Sequence, residues 1–295
     1  MNLPGLLRQF KQYCLIERGM TAKNHQSIIR NMKSLAEFAQ TENVKKLDEG
    51  MIREFLMENS RKRGWSPKTF RTYLQNLSCF FGWCEKKGYI TKNPTLRIEK
   101  PKLPKRLPRC LTKYQASTIL NNASFYHWRY DIEKYRNEAI IYTFLFTGIR
   151  LQELLLLQMS DVNLEYGEIT IIQGKGRKDR IVPIHPRLTI VFRRYLKERK
   201  RVGKCSKWFF TGIHSNKRLY EKNVREICSK ISKQSGIKFS PHVLRHTFAR
   251  LSIDANLNLF KLKEILGHSE VSTTQIYLSV STESMKKSFN NLQLI

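Results

Sequence analysis

Apolar positions in the first ninety-odd residues recur at helical spacing. Ile28, Ile29, Met32, Leu35, Ala36 and Ala39 fall on one face, the i, i+3, i+4, i+7 signature of an amphipathic helix with a buried side. A second stripe runs through Phe70, Tyr73, Leu74, Leu77, Phe80, Phe81 and Cys84. Ser66-Pro67 marks its start, a capping hydroxyl followed by proline at the first helical position, and Gly88 marks its end. Asn93-Pro94 closes this helical unit. Further on, Thr112-Lys113-Tyr114-Gln115 fits a capping box. A long apolar helix then runs from about Asn137 to Phe146 and stops at Gly148, and Leu151 to Leu157 follows. The pattern changes at Glu168–Ile172 and Arg180–Ile184, which read as strands around a Gly-Lys-Gly turn. Helices resume near Pro186 and Tyr220, and Ser240-Pro241 opens the one that carries His242, Arg245 and His246. A last helix stops at Gly267, followed by a Ser/Thr cluster that offers caps for another. The predicted architecture is mainly α with a small antiparallel β-sheet.

Between the two helical regions, Glu99 to Arg109 sets three prolines among lysines and arginines. Prolines at that spacing forbid a helix and favour an extended strap. The chain therefore divides into a helical domain over 1–96, a Pro/basic interdomain linker over 97–109 and a second domain over 110–295.

Charge narrows the partner. Lys and Arg total 54 against 24 Asp and Glu, a formal net charge of +30, and the basic residues are spread along the whole chain of 295 residues. Such an excess suits an extended polyanion, since neutralising phosphates releases counterions. No apolar run reaches membrane-spanning length and no signal-peptide pattern is present, which argues against a membrane surface. Arg61, Lys62, Arg63, Lys68 and Arg71 gather near the Ser66-Pro67 helix start, where backbone N–H groups favour phosphate. Six cysteines without CxxC or disulfide-framework spacing read as reduced, small core residues of a cytoplasmic protein.

Four pieces carry candidate chemistry. Thr147-Gly148-Ile149-Arg150-Leu151-Gln152-Glu153 sets an arginine beside a helix-stopping glycine. Gly174-Lys175-Gly176 puts a lysine on a hairpin, without the GxxxxGK[ST] of a nucleotide-binding loop. His242-Val243-Leu244-Arg245-His246 and the pair His268 and Tyr277 complete the set. Each has an ordinary explanation alone: a surface arginine, a hairpin lysine, packed histidines, an exposed tyrosine. His242 and His246 have the spacing of a zinc pair, but Val243 stands where HExxH needs its glutamate; His246 reads as a packed or hydrogen-bonded helix histidine.

Taken in order and at these spacings, Arg150, Lys175, His242, Arg245, His268 and Tyr277 match the catalytic set of tyrosine site-specific recombinases. The chain resembles the phage integrase family, most closely its Xer-type recombinases, nearly end to end. That resemblance implies an N-terminal SAM-like core-binding domain on DNA and a C-terminal catalytic domain. It implies Tyr277 as nucleophile, Arg150 and Arg245 as a phosphate clamp, and Lys175 as general acid, with His242 and His268 assisting and Glu153 as local support. With cations supplied by side chains, it implies no metal, no ATP and no other cofactor. It further implies a homo- or hetero-tetramer of recombinase protomers on two double-stranded DNA sites, exchanging strands in two steps through a Holliday junction. Each protomer would dock its C-terminal segment on a neighbour; here Met285–Ile295 is apolar enough for that, or equally for a helix packed on its own domain. Chromosome-dimer resolution, mobile-element integration or excision, and inversion are the roles such an enzyme fills. A non-catalytic architectural DNA-binding protein and a type IB topoisomerase-like relaxing enzyme are the competing readings.

Overall fold

A computed structural model describes residues 2–20, 22–104, 108–172 and 179–267. The chain divides into two compact units, Met1–Lys105 and Arg106–Ile295, each with its own core.

Among the described residues the first unit is helical: α1 (Leu3–Ile16), α2 (Ala22–Phe38), α3 (Glu49–Arg63) and α4 (Pro67–Lys86). The Ser66 hydroxyl accepts from the Thr69 amide at 3.2 Å, satisfying one of the first-turn N–H groups that no helical carbonyl can reach. α4 buries Leu74, Leu77, Phe80, Phe81 and Cys84, as its stripe predicts, and Trp83 as well. Phe10 of α1 lies at the centre, edge-on to Phe80 and Trp83 with ring centroids 5.2 and 5.3 Å away. The unit does not close at Asn93-Pro94. Asn93 Oδ1 accepts from the Thr95 amide and hydroxyl at 3.0 and 2.8 Å, an Asx-type turn that directs Ile98 back into the same core. Residues 99–104 and 108–112 take no regular secondary structure, as prolines without N–H donors dictate.

In the second unit α5 (Lys113–Phe125) begins with the expected capping box. Thr112 Oγ1 accepts from the Gln115 amide, and Gln115 Oε1 accepts from the Thr112 amide, both at 3.1 Å. α6 (Asp131–Thr147) starts before its apolar run, with Asp131 and Glu133 in the first turn, where carboxylates complement the helix dipole. It is buried on most sides, packed against α5, α8 (Pro186–Arg201) and α10 (Pro241–Asp254). Several of its buried polar groups are matched, though Asn137 Nδ2 has no hydrogen-bond partner among the described residues. Glu138 Oε1 accepts from Ser124 Oγ at 2.7 Å and Arg194 Nη2 at 2.9 Å, and Arg136 donates to Asn137 Oδ1 and to the Thr211 carbonyl. Helices α7 (Leu151–Leu156), α9 (Glu221–Ser235) and α11 (Leu259–Leu266) complete this set.

The described strands form one antiparallel sheet in the order β1 (Val162–Asn163), β2 (Glu168–Ile171), β3 (Arg180–Pro183). β1 is too short for a period-2 signal and was not expected. Opposite residues include Ile169 with Val182 and Ile171 with Arg180. Ile169, Ile171 and Val182 turn into the core while Ile181 stays exposed. Of the cysteines, Cys14, Cys84 and Cys228 are buried, but Cys205 is exposed, so a core role does not extend to it. Among the described residues no helix is long and apolar enough to cross a membrane.

Candidate active site

Gly148 ends α6 in the left-handed conformation, φ 61°, and turns the chain so that Ile149 is buried and Arg150 precedes α7. The Arg150 amide donates to Glu153 Oε2 at 2.7 Å, and its Nη1 donates to Glu153 Oε1 at 2.7 Å. Its Nη2 reaches across to the carbonyl of Gly267 at 2.7 Å. Arg245, on α10, is buried and donates from Nη1 to the Gly148 carbonyl at 2.5 Å and from Nη2 to the Leu266 carbonyl at 2.8 Å. The two arginines thus meet at one place, the turn after α6 and the end of α11.

A third arginine joins them. Arg180, the first residue of β3, donates from Nε to the Ile265 carbonyl at 2.7 Å. Its Nη1 and Nη2 reach Glu153 Oε1 and Oε2 at 3.0 and 2.8 Å. The last carbonyls of α11, those of Ile265, Leu266 and Gly267, therefore each accept from a different guanidinium. Helix C-termini leave such carbonyls without helical partners and carry partial negative charge; three cations answer both needs. α11 is held from the other side by Leu262 and Leu266, buried against Ala249 and Ile253 of α10.

Glu153 sits among these cations. Burial alone would raise its pKa, but hydrogen bonds from Arg180 and Arg150 outweigh it and bring the carboxyl down to about 2. Its role as local support in the sequence reading understates it: one carboxylate takes four hydrogen bonds from two arginines. Arg180 was not singled out at all. The signal was in the strand period, since Arg180 shares the inward face with Val182, and an arginine there requires partners.

His242 lies exposed near the start of α10, with its ring centroid 4.2 Å from that of the half-buried His246. Burial, then His242, then Arg245 lower the pKa of His246 to about 4, so the fold holds it neutral at pH 7. An unfolded histidine binds its proton near pH 6.5. Stability from this site is therefore present above about pH 6.5 and lost as the pH falls towards about 4. Melting temperatures measured across that window should drop less steeply in His246→Gln than in the native chain. Among the described residues no group of three or more His, Cys, Asp or Glu is placed to hold a metal ion. Lys175, His268, Tyr277 and the segment Met285–Ile295 lie outside the described residues.

Two family models cover most of the chain. The phage integrase family matches residues 109–284, and the N-terminal SAM-like domain of phage integrases matches residues 6–91. The chain belongs to the phage integrase family. Among relatives of this integrase, the tyrosine recombinase XerD of Listeria innocua is 30% identical over 292 residues, covering 95% of this chain and 96% of that protein. The tyrosine recombinase XerA of Pyrococcus furiosus is 31% identical over 236 residues, 80% of this chain and 78% of its own length. Its fold matches the XerH site-specific recombinase, captured on its palindromic difH substrate after cleavage, with a TM-score of 0.76 at 23% identity, over 97% of this chain and 84% of that one. The matched span 109–284 contains all six positions Arg150, Lys175, His242, Arg245, His268 and Tyr277.

Proposed function

We propose that this integrase is a site-specific DNA recombinase that cuts and rejoins strands through a covalent 3′-phosphotyrosine. The observation that carries the reading is the convergence of Arg150 and Arg245 on the turn at Gly148 and the end of α11, one residue before His268. Guanidinium forks match phosphate oxygens in pairs, and a cluster of cations stabilises the charge of a phosphoryl group in transfer.

In the proposed reaction the Tyr277 oxygen attacks the phosphorus and the bond to the 5′-oxygen breaks. A 3′-phosphotyrosine remains and the departing 5′-oxygen takes a proton from Lys175, leaving a 5′-hydroxyl. Tyr277 gives up its phenolic proton, for which His242 and His268 provide exchange. Arg150 and Arg245 hold the non-bridging oxygens. Religation by the 5′-hydroxyl of another strand reverses these steps, so the phosphotyrosine conserves the bond energy without ATP. The N-terminal unit, with Arg61, Lys62, Arg63 and Lys68 exposed around the capped start of α4, would grip the core site. The second unit would carry the chemistry. Four protomers, identical or paralogous, would act on two duplexes in the cytoplasm, in chromosome-dimer resolution or in integration and excision of a mobile element.

The test is a nicked suicide duplex bearing the sequence that the protein selects from randomised DNA. The native chain is expected to form a detergent-stable adduct and Tyr277→Phe none; an adduct in Tyr277→Phe removes the assignment. Salt-sensitive binding without any adduct would point to an architectural protein. Plasmid relaxation without site preference would point to a topoisomerase-like enzyme.

A further inference from the structure

We propose that Arg180 is a positioning residue of this strand-transfer site: by gripping both oxygens of Glu153 and the carbonyl of Ile265, it fixes Arg150 and the end of α11. The inference rests on the reading above for what Arg150 does, and on geometry alone for what Arg180 does.

Arg150 is the most exposed member of the group. Its side chain is 24% exposed, against 9% for Arg180 and 7% for Glu153. A long side chain with one end in water stays in one rotamer only if its partners are themselves fixed. Among the described residues Arg150 has two side-chain partners, Glu153 and the Gly267 carbonyl, and Arg180 holds both. It holds Glu153 through paired bonds of 3.0 and 2.8 Å. It holds the other through the Ile265 carbonyl two residues earlier and by packing: a Cβ placed on Gly267 would lie 3.1 Å from Arg180 Cδ, Nε and Nη1. Gly267 takes φ 62° and lets the chain end pass this close to the guanidinium.

The placement also links three parts of the chain. Arg180 is paired with Ile171 across the sheet, and Lys175 lies between these two residues in the sequence. Glu153 belongs to α7, which Arg150 opens, and Ile265 to α11, which leads to His268. One guanidinium with three nitrogens in a rigid plane thereby sets the hairpin base, the clamp arginine and the helix end in a common frame. Lysine cannot do this, because a single ammonium lacks the fork that meets two carboxylate oxygens together.

The experiment compares Arg180→Lys with the native full-length chain on the nicked selected duplex. The rate of adduct formation in a single turnover is expected to fall about 100-fold, the effect of displacing a reacting group by about 1 Å. The dissociation constant for the same DNA should stay within about threefold, because ground-state binding is not what the residue supplies. A variant that reacts at the native rate, or that loses rate only in step with DNA affinity, overturns the proposal. If Arg180→Lys does not fold, Arg180→Ala is assayed with guanidinium chloride against equal sodium chloride. Restoration by guanidinium supports the role and its absence counts against it. A crystal structure of the Lys variant should show Arg150 moved off the Gly267 carbonyl; Arg150 in its native place overturns the proposal whatever the activity. Should the native chain form no adduct, the recombinase reading falls, and the position of Arg150 in that structure still decides the role of Arg180.

Discussion

Replacing Glu153 with alanine is expected to lower the unfolding free energy of the second unit by about 3–5 kcal/mol, the range found when one partner of a buried ion pair is removed. Glu153 and Arg180 are 7% and 9% exposed, so a guanidinium would be left with little water and, among the described residues, no counterion. The Arg150 amide would also lose its acceptor, and with it the first turn of α7. Denaturant unfolding of the two proteins measures the difference; a loss below about 1 kcal/mol would place the cluster in the class of surface ion pairs. The pH dependence gives a second, signed expectation. The Glu153 carboxyl falls from an ordinary 4.5 to about 2 in the fold, so the unfolded chain binds the proton more readily than the native one. Its contribution is present above about pH 4.5 and lost as the pH falls towards about 2. In Glu153→Gln that part of the acid destabilisation should vanish, because the amide does not titrate.

Gly148→Ala is expected to destabilise by about 2–4 kcal/mol, summing a left-handed backbone cost of about 1 kcal/mol and forced overpacking of about 1–3 kcal/mol. A Cβ there would lie 2.3 Å from Phe248 Cδ1 and 2.9 Å from Leu266 Cδ2, and φ is 61°. Neither neighbour can move cheaply, because Leu266 is buried and Phe248 packs against the same α10–α11 cluster. The damage would extend to the site, since the Gly148 carbonyl accepts from Arg245. Gly236→Ala is the matched control in the same unit. Its φ is 69° but nothing lies within 4 Å of the added Cβ, so it should cost only the backbone part, about 1 kcal/mol. Equal losses in the two variants would show that close packing at Gly148 contributes nothing.

Several helix ends were legible along the chain. Ser66, Thr112 and Ser240 cap α4, α5 and α10, and Gly148 and Gly267 end α6 and α11 in left-handed conformations. These signals work because a cap and its helix lie within a few residues of each other, so local chemistry decides them. β1 gave no comparable signal, since two residues show no period. Neither did the return of Ile98 to the first core, which depends on the turn built by Asn93 and Thr95. Cys205, exposed after α8, shows that apolar character does not by itself place a residue inside.

For the site, it was the resemblance to tyrosine recombinases, carried by residue order and spacing, that singled out Arg150, Lys175, His242, Arg245, His268 and Tyr277 as candidates for phosphate chemistry. Only the tertiary structure showed how the described part is held: Arg150 meets Gly267 across 117 positions of sequence, and Arg180 meets Ile265 across 85. Charge, several helices and their caps follow from composition or from neighbouring residues, and so were readable along the chain. Which arginines are buried, and that three of them close the same helix end with two of those sharing one carboxylate, was decided by packing of distant segments, because a buried charge is tolerated only where the fold delivers its partners.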